Sequence, residues 1–276
     1  MKKVSILATT IIIMTFLLTG CNGDVTRDIR HAGFNLSTTT FTCSDLMPKK
    51  ESDTNYKKIK YMNSNYVITE EGDIYDITLN QTYSDKTNCK KAKFDKKVVA
   101  IMDENIVKAD DNKFYYTSTT SSSTPYTEVT VNDNSYEIYN LLLSNSDVVK
   151  VITVDQSNGI YYVLSTDGNV YKYVITRTDY NSPYQIASKE RVYKISEYGK
   201  IIDFNYKGEK DTSTYIKTEN EVYRIQNTNS ESCTKYADVD CKYKMKKDET
   251  LSKYLNSKIL YYGPSILITK YGKLFL

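Results

Sequence analysis

The chain has 276 residues, a formal net charge of +3 and a mean hydropathy of −0.52. That near-neutral balance excludes the basic footprint that nucleic-acid binding needs and supplies no polybasic membrane patch. Tyr is abundant at 27 residues, Pro (4) and Gly (10) are scarce and Trp is absent; with frequent Thr, Val and Ile, this composition favours strands.

In chain order, residues 1–20 come first. Met1-Lys2-Lys3 is a positive head, Ile6 to Leu18 is an apolar run broken only by Thr9, Thr10 and Thr15, and Leu18-Thr19-Gly20-Cys21 follows. A charged start, a short apolar stretch and small residues before a cut site describe a secretory signal. The run is shorter than the roughly 20 apolar residues that span a bilayer. Leu-Thr-Gly-Cys resembles the lipobox of bacterial lipoproteins. The resemblance implies diacylglyceryl transfer to the Cys21 sulfur and cleavage between Gly20 and Cys21. Two acyl chains suffice for stable anchoring, so the expected location is the extracytoplasmic face of the membrane. The domain expectation is a signal peptide over 1–20, a lipidated tether over 21–33 and a folded domain over 34–276. The tether reading rests on the polar, aperiodic stretch from Asn22 to Gly33.

From residue 57 onward one pattern recurs: an apolar strand, a second strand, a turn rich in Asp, Asn, Glu or Gly, and a strand carrying an aromatic residue. The hairpins read YVITEEGDIYDI (66–77), IVKADDNKFYYT (106–117), YVLSTDGNVYKY (162–173), YIKTENEVYRI (215–225) and ILITKYGKLFL (266–276). Tyr75, Tyr115, Tyr171, Tyr223 and Phe275 hold equivalent places, spaced by 40, 56, 52 and 52 residues. The preceding strands are predicted at 57–62, 96–102, 147–153, 199–205 and 257–263. Asp-Gly and Asn-Gly pairs suit hairpin turns with positive φ. Gly72, Gly168 and Gly272 supply that residue, and Asn112 and Asn220 replace it. EIYNLLL (137–143) is predicted as a strand or one helical turn, and 117–124 as a polar loop.

This strand-plus-hairpin unit resembles a β-propeller blade, and most of all the regulator-of-chromosome-condensation-type repeat. The resemblance covers residues 57 to 276 and implies an all-β, five-bladed β-propeller-like domain. The last unit ends at its aromatic strand, leaving an edge open. The segment FNLSTTTFT (34–42) is predicted to complete that unit and close the ring.

Four cysteines remain beside Cys21: Cys43, Cys89, Cys233 and Cys241. An even number in an exported domain points to disulfides. Of three possible pairings, the eight-residue spacing of Cys233 and Cys241 favours a hairpin clip, which leaves Cys43 with Cys89; free thiols are the alternative. The sole histidine, His31, falls in the tether, so no base is placed beside a nucleophile. Turn carboxylates Glu70, Glu71, Asp73, Asp110, Asp111, Asp167 and Glu219 could pair for glycoside hydrolysis, but such residues ordinarily serve the turn. Asp110-Asp111-Asn112 and Asp155 to Asn158 lack the ligand spacing of a calcium loop. No metal, cofactor or catalytic residue is expected. The Tyr-rich loop 180–184 (YNSPY) is an interface candidate. The functional expectation is a non-catalytic binding or scaffold module, anchored in the bilayer through Cys21, for a protein partner. The alternative is a glycan-binding or carbohydrate-active lipoprotein.

Overall fold

The computed structural model describes residues 25–50, 53–79, 87–117, 126–130, 133–206, 214–225 and 245–276. These residues are mostly β-sheet, as the composition predicts, with a few short helices.

Strand β1 (Leu36–Thr40) is set apart from its sequence neighbours and is taken up again below. The first unit holds β2 (Ile59–Met62), β3 (Tyr66–Thr69), β4 (Ile74–Thr78) and β5 (Asn88–Lys91), paired antiparallel in that order. The second holds β6 (Val98–Asp103), β7 (Ile106–Ala109) and β8 (Phe114–Tyr116), extended by a bridge from Tyr115 to Glu128. The third holds β9 (Val148–Asp155), β10 (Ile160–Ser165), β11 (Val170–Thr176) and β12 (Gln185–Arg191). The fourth holds β13 (Asp203–Asn205), β14 (Tyr215–Lys217), β15 (Val222–Ile225) and β16 (Met245–Lys247). The fifth holds β17 (Ile259–Tyr262), β18 (Leu267–Thr269) and β19 (Lys273–Phe275). Here β1 returns, pairing antiparallel with β19 and completing a four-stranded sheet with order β1-β19-β18-β17. The second and third units share one seven-stranded sheet through a parallel pairing of Ile101 with Lys150.

The turn glycines explain how one unit meets the next. Gly72, Gly168 and Gly272 have φ of +79°, +78° and +76°, a region open to glycine at no steric cost. Gly72 and Gly168 offer their carbonyls to the segment that follows, and Gly272 to the stretch after β1: Val98 N–H donates to Gly72 at 2.9 Å, Ile201 to Gly168 at 3.0 Å and Phe41 to Gly272 at 2.8 Å. A Cβ at Gly272 would stand 2.5 Å from the Phe41 carbonyl oxygen. Asn112 takes φ +66° as predicted, whereas Asn220 does not enter the left-handed region. In the fourth hairpin the last pair, Lys217 with Val222, is five residues apart, one fewer than Ile68 with Ile74 in the first, and the turn closes without it.

The apolar core is divided into five clusters, each drawn from two units. Tyr66 and Ile68 meet Val107 and Tyr115; Phe114 and Ala100 meet Val163 and Tyr173; Tyr162 and Val170 meet Phe204 and Ile216. Tyr215 and Val222 then meet Leu267 and Phe275, and Ile268 and Leu274 meet Val67 and Tyr75 of the first unit. Between the third and fourth units, Lys150 from β9 reaches Asp203 of β13 at 2.7 Å, with exposures of 6% and 9%. Its ammonium lies 5.4 Å above the Tyr61 ring of β2, and Tyr215 donates its hydroxyl to Asp203. Tyr261 of β17 accepts the Met62 N–H at 3.0 Å.

Three helices fill links that the sequence reading leaves irregular. EIYNLLL lies inside α2 (Asn134–Leu143), a ten-residue helix rather than a strand or single turn. Asp133 caps it by accepting the Ser135 N–H at 2.8 Å, and Ile138, Tyr139 and Leu142 form its buried face. An aspartate before a run with apolar residues four apart is an N-terminus signal; the continuous Leu run obscured it. Helices α3 (Tyr193–Ser196) and α4 (Glu249–Tyr254) hold the corresponding links before β13 and β17. The segment read as tether also differs. Residues 25–31 form helix α1, numbered first in chain order, with Val25 and Ile29 buried against Leu251 and Tyr262. Asp28 accepts the Tyr254 hydroxyl at 2.8 Å, Thr26 meets Lys273 at 2.7 Å and Arg224 donates to the Ala32 carbonyl at 3.0 Å. Two apolar residues four apart are enough to dock one helical turn.

Candidate functional site

Several of the carboxylates that the sequence nominates are engaged by nearby backbone and side chains. Asp111 accepts the Lys113 N–H at 3.1 Å and the Tyr115 hydroxyl at 2.6 Å; Asp167 accepts Asn169 and, at 2.9 Å, the Tyr171 hydroxyl. Asp110 accepts the Lys97 N–H at 3.2 Å. Asp155 accepts both the backbone and side-chain amides of Asn158, which hold its carboxyl below the usual range. Glu71 lies 3.6 Å from Lys57, and Asn256 donates to the Glu219 carbonyl at 3.0 Å. Asp73 is different: it is 5% exposed and receives Lys57, Lys97 at 2.5 Å and Lys91 at 3.0 Å. Burial pushes its carboxyl up, but the hydrogen bonds from Lys57, Lys97 and Lys91 prevail and hold it well below the carboxylate range. His31 is exposed at the end of α1.

Cys43 and Cys89 form a disulfide with Cα atoms 5.4 Å apart, closing a separation of 46 residues. This bears out the expected pairing and ties the segment after β1 to β5. Gly20, Cys21, Cys233 and Cys241 lie outside the described residues.

A cleft opens where the second and third units meet. Its volume is about 570 Å³, within the roughly 300–1,000 Å³ common for small-ligand sites. Asp103, at the end of β6, stands on one side, beside Tyr139 from α2. Thr153 and Tyr161 come from β9 and β10, and Tyr184 from the loop after β11; Arg177, one residue beyond β11, completes the wall. The turn Gln156–Gly159 forms the rim. Gly159 is required there: its φ is +64°, and a Cβ would fall 1.9 Å from the Ile175 carbonyl oxygen.

Asp103 is the lone carboxylate among the residues lining this cleft. One oxygen accepts the Glu104 N–H. The other meets the Tyr139 hydroxyl and the Thr153 hydroxyl, each at 3.4 Å, long for bonds whose common distance is about 2.7–2.8 Å. Burial raises its carboxyl from its ordinary value, against the lowering effect of the Glu104 N–H. Across the cleft the Arg177 guanidinium lies 4.8 Å from the Tyr180 ring and 4.9 Å from the Tyr184 ring. It donates to the Tyr180 carbonyl at 3.3 Å, and the Tyr184 N–H is held by Glu137 of α2 at 2.8 Å.

No protein-family model and no curated protein matches this sequence.

Within the tyrosine-rich YNSPY loop, Tyr184 lines the cleft while Tyr180 stands 81% exposed beside it. Asp103, Tyr139, Tyr161 and Arg177 carried no motif. They reach the cleft from β6, α2, β10 and the end of β11, so proximity in the fold, not spacing in the chain, assembles them.

Proposed function

We propose that this chain is an exported lipoprotein, anchored through Cys21, whose folded part is a five-bladed β-propeller-like binding module. The leader and the Leu-Thr-Gly-Cys motif support export and anchoring. The five clusters between successive units, the last joining unit five to unit one, support a ring. The pairing of β1 with β19 supports closure by the N-terminal strand.

One observation carries binding rather than turnover: the cleft places a single carboxylate, Asp103, among tyrosines and an arginine. Glycoside hydrolysis by the usual route needs two carboxyl groups across the bond, and a hydroxyl nucleophile needs a positioned base. The cleft, lined by Asp103, Arg177 and several amides and hydroxyls, favours a small polar ligand.

Metabolic labelling with palmitate tests the anchor. Wild-type protein takes the label, and Cys21→Ser does not; equal labelling would sink the assignment. Hydrolysis of chromogenic glycosides by the purified full chain, abolished by Asp103→Asn, would overturn the binding-only reading.

A further inference from the structure

We infer that the ligand of the Asp103 cleft is a saccharide, bound through one or two pyranose rings; this rests on the cleft being the binding site. Three features point the same way. The first is the state of the Asp103 carboxylate. Its outer oxygen meets two hydroxyl donors, both at 3.4 Å, inside a partly desolvated wall. An ionised oxygen so placed lacks the short, charge-assisted bonds that offset desolvation. A ligand hydroxyl supplies one, and vicinal hydroxyls supply two.

The second is the mixture of surfaces. Tyr184, half-buried, offers a ring, and Tyr139 and Tyr161 line the wall at 4% exposure each, while Asn134, Gln156 and Asn158 offer amides that both donate and accept. A pyranose has this same division, with C–H faces for the rings and hydroxyls on its edge. An apolar ligand would leave the amides and Asp103 unmatched, at the cost of buried unpaired polar groups. A phosphate-bearing ligand would meet the Asp103 carboxylate as a like charge.

The third is Arg177. Flanked by the Tyr180 and Tyr184 rings and bonded to the Tyr180 carbonyl, its guanidinium is held in place before any ligand arrives. A fixed planar donor set suits the oxygens of a ring substituent such as an acetamido or carboxylate group. A side chain already ordered loses less freedom on binding.

The test uses the full-length protein in detergent micelles. Saturation-transfer NMR and titration calorimetry are run with glucose, galactose, N-acetylglucosamine and glucuronic acid. A second arm uses free glycine, lysine and tyrosine, whose ammonium and carboxylate groups could engage Asp103 and Arg177. The expected result is binding of at least one sugar, weakened about tenfold or more by Asp103→Asn and by Tyr184→Ala. Tyr184 is half-buried at the rim, so its variant keeps the test valid if Asp103→Asn fails to fold. If no sugar binds but an amino acid does, and the variants abolish it, the cleft stands and the saccharide is overturned. Sugar binding that neither variant weakens overturns both, as does the absence of binding in both arms.

Discussion

Two aspartates show how neighbours decide what a buried carboxylate does. Asp73 has three lysines on it, and its carboxyl is held well below the ordinary range. A carboxyl lower in the folded than in the unfolded chain contributes stability that is present above about pH 4 and lost as pH falls further. Its lysines are about a third to a half exposed, so solvent screens part of the effect. Asp73→Asn should cost about 1–3 kcal/mol at pH 7, and the difference from wild type should shrink steadily toward pH 2. Urea titrations across that range would expose a wrong assignment if the difference stayed constant. Asp103 has the opposite sign. Its carboxyl is raised, so its ionised form opposes folding above the ordinary carboxylate range. It is kept in a cleft wall where stability alone gives no reason for a charge, which is what a binding role predicts.

At the level of elements, the hairpins were legible because turn chemistry is local. Asp167-Gly168 and Glu71-Gly72 announce positive φ, and the aromatic residue two or three positions later marks the next strand. The FNLSTTTFT strand was legible for another reason: the fifth unit ends one strand short, and an unpaired edge demands a partner. The helices were harder. α1 shows only Val25 and Ile29 as an apolar stripe, and α2 hides its cap behind a continuous Leu run. A further regularity emerges only in the ladders. The first strands of four units, β2, β6, β9 and β17, slip register at Lys60, Val99, Val149 and Leu260, the same place in each. Such bulges increase local twist, and no residue type marks them here. The disulfide belongs to this scale as well. Its loop of 46 residues corresponds to about 4 kcal/mol on the chain-entropy model. Cys43→Ser should therefore lower the thermal midpoint by many degrees, and a shift no larger than that of a surface substitution would argue against a structural role.

Across the whole molecule, each unit shares apolar cluster residues with both its neighbours. No unit can open without exposing two of them, and Lys150 and Asp203 join β9 and β13 of the third and fourth units beside Tyr61 in β2 of the first. Lys150→Met strands the Asp203 charge and should destabilise by about 3–5 kcal/mol. Because the damage lies where units meet, tyrosine absorbance and far-ultraviolet circular dichroism should still report one coincident transition. Separate midpoints would mean that the units melt independently. The cleft is a whole-molecule feature in the same sense, since Asp103 and Tyr161 become neighbours only once two units have packed.

The clasp of α1 has a mechanical consequence. Tension on the chain ahead of Val25 would first meet the contacts of Asp28, Thr26 and Ala32 with Tyr254, Lys273 and Arg224. Load would thus divide between the fourth and fifth units before it could peel β1 from β19, so the seam where the two ends of the domain meet is relieved of strain by the helix in front of it.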